Sequence, residues 1–128
     1  MTARPVCFWE INARDGNKLA EFYRVTFGWQ MDYDEAADFH TVHSMSEDGK
    51  GIAGGIFTGK GRLPPHRALY VRVTSVEDAV DRARDAGARI LLETFDGPGG
   101  YPLAFFEDLE GHVVGVVGEE VPEDEPEE

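Results

Sequence analysis

The chain has 128 residues, of which 41% are hydrophobic, and its 25 acidic residues outnumber 12 basic ones to give a formal net charge of −13. A chain of this length can bury a core as one domain. The acidic balance excludes sequence-independent nucleic-acid binding, which needs clustered Lys and Arg to neutralise phosphates. No apolar run approaches the roughly 20 residues that span a bilayer. We therefore expect neither nucleic acid nor membrane as a partner.

The single cysteine and the first five residues predict the cellular compartment of the protein. Cys7 is the single cysteine, so no disulfide forms within the chain. A free thiol suits a reducing environment, and the segment 1–5 is too short and polar for a secretion signal. These features predict a cytoplasmic protein in which Cys7 is a small hydrophobic residue on a strand.

The acidic residues are concentrated at the C-terminus. The segment 119–128 (EEVPEDEPEE) holds seven acids and no base, which leaves 18 acids against 12 bases in residues 1–118. Like charges and two prolines predict a disordered tail. Residues 1–118 are expected to form one domain.

The first predicted elements are a strand and a helix in residues 7–28. Cys7, Trp9, Ile11 and Ala13 alternate with Phe8, Glu10 and Asn12, as in a strand with two different faces. Asp15 is suited to cap a helix N-terminus, and Gly28 to end the helix. Further extended segments follow, with a turn at 46–49 before the last of them: 29–33, 39–45 and 52–57.

Glycines punctuate the middle of the chain. Gly54 and Gly55 weaken the strand 52–57 and allow another group to approach its backbone closely. The segment 59–65 (GKGRLPP) is rich in Gly and Pro and predicts a linker.

The second half follows the same order of elements. A strand with Ala68, Tyr70 and Arg72 on one face leads to a helix that Ser75 caps and Gly87 ends. Three strands then follow, around a loop at 96–100 and a turn at 108–111: 88–94, 101–107 and 112–118.

The two halves therefore repeat a βαβββ unit, at about 5–58 and 66–118. Neither unit can bury its hydrophobic face alone. This predicts an α+β fold in which two βαβββ units form a cupped mixed β-sheet with helices on the outside.

Three segments resemble the vicinal oxygen chelate superfamily, which includes glyoxalase I, the bleomycin-resistance proteins and the extradiol dioxygenases. They are EFYRVTFGW at 21–29, PPHRALYVRVTSVEDAVDRARDAGA at 64–88 and FFEDLEGHVVGVV at 105–117. The resemblance implies four metal ligands, His or Glu, on the first and last strands of each unit. The corresponding positions here are Phe8, about Gly55, Ala68 and Gly115. None has a donor for a divalent cation, so we expect no metal and no cofactor.

Strand alternation predicts which side chains line the concave face. Glu10 is the candidate catalytic residue, as a general base or an anchor for the ligand. A salt bridge between Glu10 and Arg72 is the alternative role for this carboxylate. Glu10 and His66 also supply two ligands of a displaced metal site that lacks a third. The candidate ligand-binding residues are Phe8, Asn12, His66, Tyr70 and Arg72.

Two classes of function compete. One is a metal-free protein that binds a small amphipathic organic molecule, as the bleomycin-resistance branch does. The other is a lyase, isomerase or dioxygenase that uses Glu10 as a base or a displaced metal. A partner-binding module is a third reading, for which the sequence shows no apolar patch. The resemblance also implies a homodimer, which would cover exposed sheet edges.

Overall fold

A computed structural model describes residues 2–61 and 63–119 of the chain. Contacts between Cα atoms divide the chain into an N-terminal unit, Cys7–Leu69, and a C-terminal unit, Met1–Val6 with Tyr70–Glu128. The elements in chain order are β1 (Val6–Ala13), α1 (Gly16–Phe27), β2 (Gln30–Asp34), β3 (Phe39–His43), β4 (Gly54–Thr58), β5 (His66–Val73), α2 (Val76–Asp85), β6 (Arg89–Asp96), a 3-10 turn (Pro98–Gly100), β7 (Pro102–Glu107) and β8 (Val113–Gly118).

The sheet of the N-terminal unit has the strand order β2-β3-β4-β1. β2, β3 and β4 are antiparallel neighbours, whereas β1 runs parallel to β4. Glu10 is opposite Gly55 in the β1–β4 pair, and Thr41 is opposite Gly55 in the β3–β4 pair. A mixed sheet follows because α1 provides the crossover that a parallel β1–β4 pair requires.

Helix α1 begins and ends where the sequence predicts. The Asp15 carboxylate accepts a hydrogen bond from the Lys18 amide at 3.1 Å, and the Gly16 amide donates to Thr58 Oγ1 at 2.8 Å. Gly28 adopts φ 73°, and its amide donates to the Arg24 carbonyl at 2.9 Å. Both termini are thus satisfied by local groups, which sets the length of the helix.

The core of the N-terminal unit lies between α1 and its sheet. Ala20, Val42 and Ile56 are buried there. The half-buried hydrophobic residues packed against them are Trp9, Ile11, Leu19, Tyr23, Trp29 and Met31. The predicted inward face of the first strand is therefore confirmed by Trp9 and Ile11, while Cys7 is half-buried.

The C-terminal unit repeats this arrangement. Its strands have the order β5-β8-β7-β6, with antiparallel pairing along β6-β7-β8. Ser75 caps α2 by accepting from the Asp78 amide at 3.2 Å. The helix ends at Asp85, and Gly87 follows it with φ 104°. The buried core of this unit consists of Val73, Val76, Val80, Ala104 and Val116.

The predicted α+β fold with two βαβββ units is confirmed. Individual strand ends differ from those expected by one or two residues. Differences of two residues occur in the predicted strands 39–45, observed at Phe39–His43, 52–57, observed at Gly54–Thr58, and 88–94, observed at Arg89–Asp96. No helix in the described residues is long and apolar enough to cross a bilayer. The tail predicted at 119–128 lies outside the described residues beyond Glu119.

The turn between β7 and β8 depends on a single carboxylate. Asp108 Oδ1 accepts from the Glu110 amide at 2.9 Å and the His112 amide at 3.0 Å, and Gly111 completes the turn with φ 87°. Hydrogen bonding from the His112 amide, then from the Glu110 amide, holds the pKa of Asp108 below its ordinary value of 3.8. The fold therefore favours the charged form of Asp108.

We expect Asp108→Ala to lower the melting temperature at neutral pH, because the turn loses both hydrogen bonds. Since the folded pKa is depressed, this stabilisation is fully present above the ordinary carboxyl pKa and is lost as the pH falls through the folded value. The difference in Tm between the natural chain and Asp108→Ala should thus narrow in acid. Calorimetry between pH 7 and about pH 3 checks this, with Asp108→Asn as a control that keeps one acceptor. A difference that is constant over this range would contradict it.

Candidate functional site

The sheet of the N-terminal unit has one face without a helix. Because Trp9 and Ile11 pack towards α1, alternation along β1 directs Phe8, Glu10 and Asn12 to the opposite face. The register brings Gly55 beside Glu10, and Phe57 beside Asn12. This face therefore combines a carboxylate, a carboxamide and aromatic rings.

Aromatic rings cover the glycines at two of the positions where the superfamily has metal ligands. A Cβ placed on Gly55 would lie 2.1 Å from Phe39 Cζ. A Cβ on Gly115 would lie 3.1 Å from ring carbons of both Tyr70 and Phe105. Neither position has room for an imidazole or carboxylate side chain. The residues present thus do not fit the metal centre that the family resemblance implies.

Tyr70 and Arg72 belong to the corresponding face of the C-terminal unit. Val71 and Val73 pack in the core beneath α2, so the side chains between and beside them point away from that helix. Tyr70 is buried and meets Phe105 edge to face, with ring centroids 5.6 Å apart. Arg72 is exposed. Its backbone amide donates to the Pro5 carbonyl at 3.0 Å.

Asn12 is a buried polar residue with an unsatisfied atom. Its exposed fraction is 6%, and its carboxamide packs over Gly59. Within the residues that the structure describes, Asn12 Oδ1 accepts no hydrogen bond. Such a group costs free energy in the fold, and Oδ1 itself has almost no surface that a donor in solution could reach.

Asn12 and His66 line the same cavity, which has a volume of about 560 Å³ and lies where β1 leads into α1. His66 Nδ1 is 2.6 Å from the Pro64 carbonyl oxygen and therefore donates to it, which leaves Nε2 as the second functional atom of the ring. The wall is mostly apolar, with charged groups at its rim. The lining residues are Ile11, Asn12, Ala13, Arg14, Asp15, Lys18, Leu19, Phe22, Pro65, His66 and Arg67.

Glu10 lines a smaller cavity of about 300 Å³. Three aromatic side chains and Arg67 complete its wall: Trp9, Tyr23 and Trp29 provide the rings. The Tyr23 and Trp29 rings stack with centroids 5.4 Å apart, and those of Trp9 and Trp29 are 5.6 Å apart. Glu10 is half-buried, and strand alternation directs its carboxylate to the face of β1 opposite these rings.

The orientation of Trp9 is fixed by a contact that sequence reasoning missed. Its indole Nε1 donates to Ser44 Oγ at 2.9 Å, and Ser44 Oγ donates to the Ile52 carbonyl at 2.6 Å. Nothing in the sequence signals this pair, because 35 residues separate Trp9 from Ser44.

Sequence reasoning also missed three basic residues that line the larger cavity: Arg14, Lys18 and Arg67. Arg14 and Lys18 lie on either side of the predicted helix cap at Asp15. Their position around this cap was the sequence signal that could have identified them. Arg67 was passed over because it falls between the two residues that alternation selected on β5, Ala68 and His66.

The six candidate residues thus separate into groups. Asn12 and His66 share the larger cavity, and Glu10 lines the smaller one. Phe8 is half-buried on β1, whereas Tyr70 and Arg72 belong to the C-terminal unit. Among residues 2–61 and 63–119, no group of three or more His, Cys, Asp or Glu is close enough to hold a metal ion.

A further pair of perturbed pKa values, besides that of Asp108, belongs to the end of the β2–β3 hairpin. Tyr33 OH donates to Asp38 Oδ1 at 2.7 Å. This hydrogen bond raises the pKa of Tyr33 and lowers the pKa of Asp38, which Lys60 also contacts at 3.2 Å. Asp38 adopts φ 51° at this tight turn. The arrangement stabilises the hairpin end.

Comparisons with known structures agree with this architecture. A methylmalonyl-CoA epimerase from Streptomyces coelicolor, in complex with 2-nitronate-propionyl-CoA, is 19% identical with a TM-score of 0.59, covering 88% of this chain and 95% of that one. A glyoxalase/bleomycin resistance protein/dioxygenase superfamily member from Vibrio splendidus is 13% identical with a TM-score of 0.63, covering 91% and 100%. At these identities the likeness shows the fold alone.

Sequence comparisons identify the family. "Putative glyoxylase CFP32" from Mycobacterium bovis is 25% identical over 111 residues, which are 84% of this chain and 42% of that protein. The chain thus spans less than half the length of this curated relative. The model of the glyoxalase-like domain family matches residues 8–117. With this match across both βαβββ units, the chain belongs to the glyoxalase-like domain family.

Proposed function

We propose that this chain binds a small amphipathic organic molecule and that it does so without a catalytic metal. The observation that carries the proposal is the covering of Gly55 by the Phe39 ring and of Gly115 by the Tyr70 and Phe105 rings. Metal coordination at these places would need donor side chains where aromatic rings now lie. Aromatic surfaces suit the apolar part of an organic ligand.

The polar residues of the N-terminal unit would orient such a ligand. Asn12 offers a carboxamide at the cavity wall, Glu10 a half-buried carboxylate, and His66 a ring nitrogen. Phe8 would add an aromatic contact. A few polar groups on an apolar wall are the usual composition of a small-molecule site, and a volume of about 560 Å³ is within the usual range. Tyr70 and Arg72 remain predicted ligand-binding residues of the C-terminal unit.

A ligand screen by thermal shift, run with and without divalent metals, tests the proposal. Amphipathic organic molecules should raise the melting temperature equally in both series, since binding to the folded state stabilises it. Elemental analysis of the purified protein should find less than stoichiometric zinc, nickel, manganese and iron. A metal-dependent shift, or one equivalent of such a metal held by Glu10 and His66, would refute the metal-free part.

Catalysis with Glu10 as a general base is the second candidate. It is favoured by the half-buried position of Glu10 in the middle of β1, because partial desolvation makes a carboxylate a stronger base. The epimerase from Streptomyces coelicolor shares this fold and binds an acyl-CoA analogue, so a lyase or isomerase is chemically reasonable on it.

Glu10→Gln separates these roles. We expect the variant to change ligand affinity or turnover and to keep the melting temperature of the natural chain, because the amide preserves the shape of the side chain. If Glu10 is instead held in a structural ion pair, the same change should destabilise the fold by about 1 kcal/mol or more, since one partner stays uncompensated. Thermal unfolding and ligand titration on the same sample decide between the two.

We also propose that the chain works as a homodimer in the cytoplasm. Two large apolar side chains on one face of α1 support a second copy as partner: Phe22 and Val25, three residues apart, are exposed by 57% and 68%. Burial of such a patch stabilises a two-fold contact. The free Cys7 suits a reducing compartment. Sedimentation at micromolar concentration should show a dimer, and a monomer there would refute this assembly.

A further inference from the structure

The cavity where β1 leads into α1 has a charge opposite to that of the chain. Arg14, Lys18 and Arg67 line it, against Asp15 as its acidic residue, whereas the whole chain has a net charge of −13. The Asp15 carboxylate is moreover engaged, because it accepts from the Lys18 amide at the start of α1. The cavity is therefore a basic site on an acidic protein.

The three cations of this cavity have no carboxylate partner among the described residues, as is also true of Arg72 and Arg82, whereas the other described Arg and Lys residues have one. Elsewhere in the described residues, basic side chains lie within 4.0 Å of a carboxylate at six positions: Arg4, Arg24, Lys50, Lys60, Arg84 and Arg89. In the same described ranges, no carboxylate reaches salt-bridge distance of Arg14, Lys18 or Arg67. In a chain with 25 acids and 12 bases, three uncompensated cations at one cavity indicate an external anion.

The other residues of the cavity wall restrict which kind of anion fits the cavity. Ile11, Leu19 and Phe22 give it apolar surface. An anion with an apolar body matches both the cations of the cavity and its apolar wall.

We propose that this cavity binds an organic anion, a carboxylate or a phosphate monoester with an apolar chain, through Arg14, Lys18 and Arg67. Guanidinium groups bind both kinds of anion in a fork geometry. The inference rests on the proposed binding function and adds the charge and the position of the ligand.

Calorimetric titration with four probes of known chemistry tests it: octanoate, octyl phosphate, 1-octanol and inorganic phosphate. Octanoate and octyl phosphate should bind more tightly than 1-octanol and inorganic phosphate, and the better of the two identifies the anion. Their Kd should rise with ionic strength, because salt screens exposed charges. Equal affinity for 1-octanol and octanoate would overturn the anion site while leaving the binding function intact. Failure of every organic probe would refute both.

Substitutions locate the site. Arg67→Gln, and the triple change of Arg14, Lys18 and Arg67 to Gln, should weaken octanoate binding by about tenfold or more, the size of a lost charge-assisted hydrogen bond. Arg82→Gln is the matched control, since Arg82 on α2 also has no carboxylate partner among the described residues and lies outside the cavity. Unchanged affinity in the triple variant, or an equal loss in Arg82→Gln, would overturn the assignment.

Discussion

Replacement of Gly54 by alanine is expected to destabilise the protein by about 3 kcal/mol, the upper end of the usual cost of over-packing an interior. A Cβ on Gly54 would lie 2.0 Å from Cε2 and 2.1 Å from Cδ2 of Trp9. The indole has little freedom to retreat, because its Nε1 donates to Ser44 and its ring packs against Trp29. The added methyl group must therefore displace β1 from β4 or break the hydrogen bond to Ser44.

Urea unfolding of Gly54→Ala, Trp9→Leu and the double variant measures this effect. Trp9→Leu removes the ring that blocks the methyl group, so the double variant should lose less stability than the sum of the two single changes. Strict additivity would show that Trp9 does not restrict Gly54. A midpoint for Gly54→Ala equal to that of the natural chain would contradict the close packing itself.

The sequence predicts the repeat because each half contains both hydrophobic periodicities in the same order. Trp9 and Ile11 alternate at a period of two, and the helix that follows has its own cap at each end, Asp15 and Gly28. Local rules are sufficient for such elements. The same rules predict that something approaches the backbone at Gly54 and Gly55.

Which side chains approach Gly54 and Gly55 depends on the tertiary structure, and local sequence rules do not predict it. Trp9 covers Gly54 from the face that packs on α1, and Phe39 covers Gly55 from the opposite face. The partner of each glycine comes from a different strand, β1 or β3, and the register between strands decides which side chain arrives.

Strand alternation, which is also a local rule, predicted part of the candidate site. Alternation selected Asn12 and His66, which the structure brings to one cavity. It did not select Arg67, the second residue of β5, or Lys18 on α1, although both line that cavity. Residues that meet only through the packing of a helix beside a strand have no fixed spacing in the sequence.

A second large effect is expected at Gly55, the approximate position of a superfamily metal ligand on β4. Gly55→Glu supplies the missing carboxylate, yet we expect it to destabilise the fold by more than about 3 kcal/mol, because it over-packs the site and buries a charge. The first side-chain carbon would already lie 2.1 Å from Phe39 Cζ and 2.7 Å from Phe39 Cε1. Phe39 stacks on Phe57, with centroids 5.9 Å apart, which limits its retreat.

Two further variants separate lack of space from the cost of the charge. Thr41→Glu places the same carboxylate on β3 opposite Gly55, at a half-buried position that already carries a side chain, and should cost less. Gly55→Glu combined with Phe39→Ala removes the covering ring and should recover part of the lost stability. Urea unfolding of the variants provides the comparison.

Zinc titration of Gly55→Glu then decides what the glycine means for function. We expect no stoichiometric binding, because one carboxylate beneath an aromatic ring lacks the further ligands and the open volume that a zinc site needs. Binding of one zinc per chain, with stability retained, would show that the Phe39 ring moves aside and that the site is one substitution from a metal centre. The proposal that the chain works without a metal would then fail at Gly55. It depends most on this position, because a Cβ on Gly55 would lie closer to an aromatic ring than a Cβ on Gly115 would.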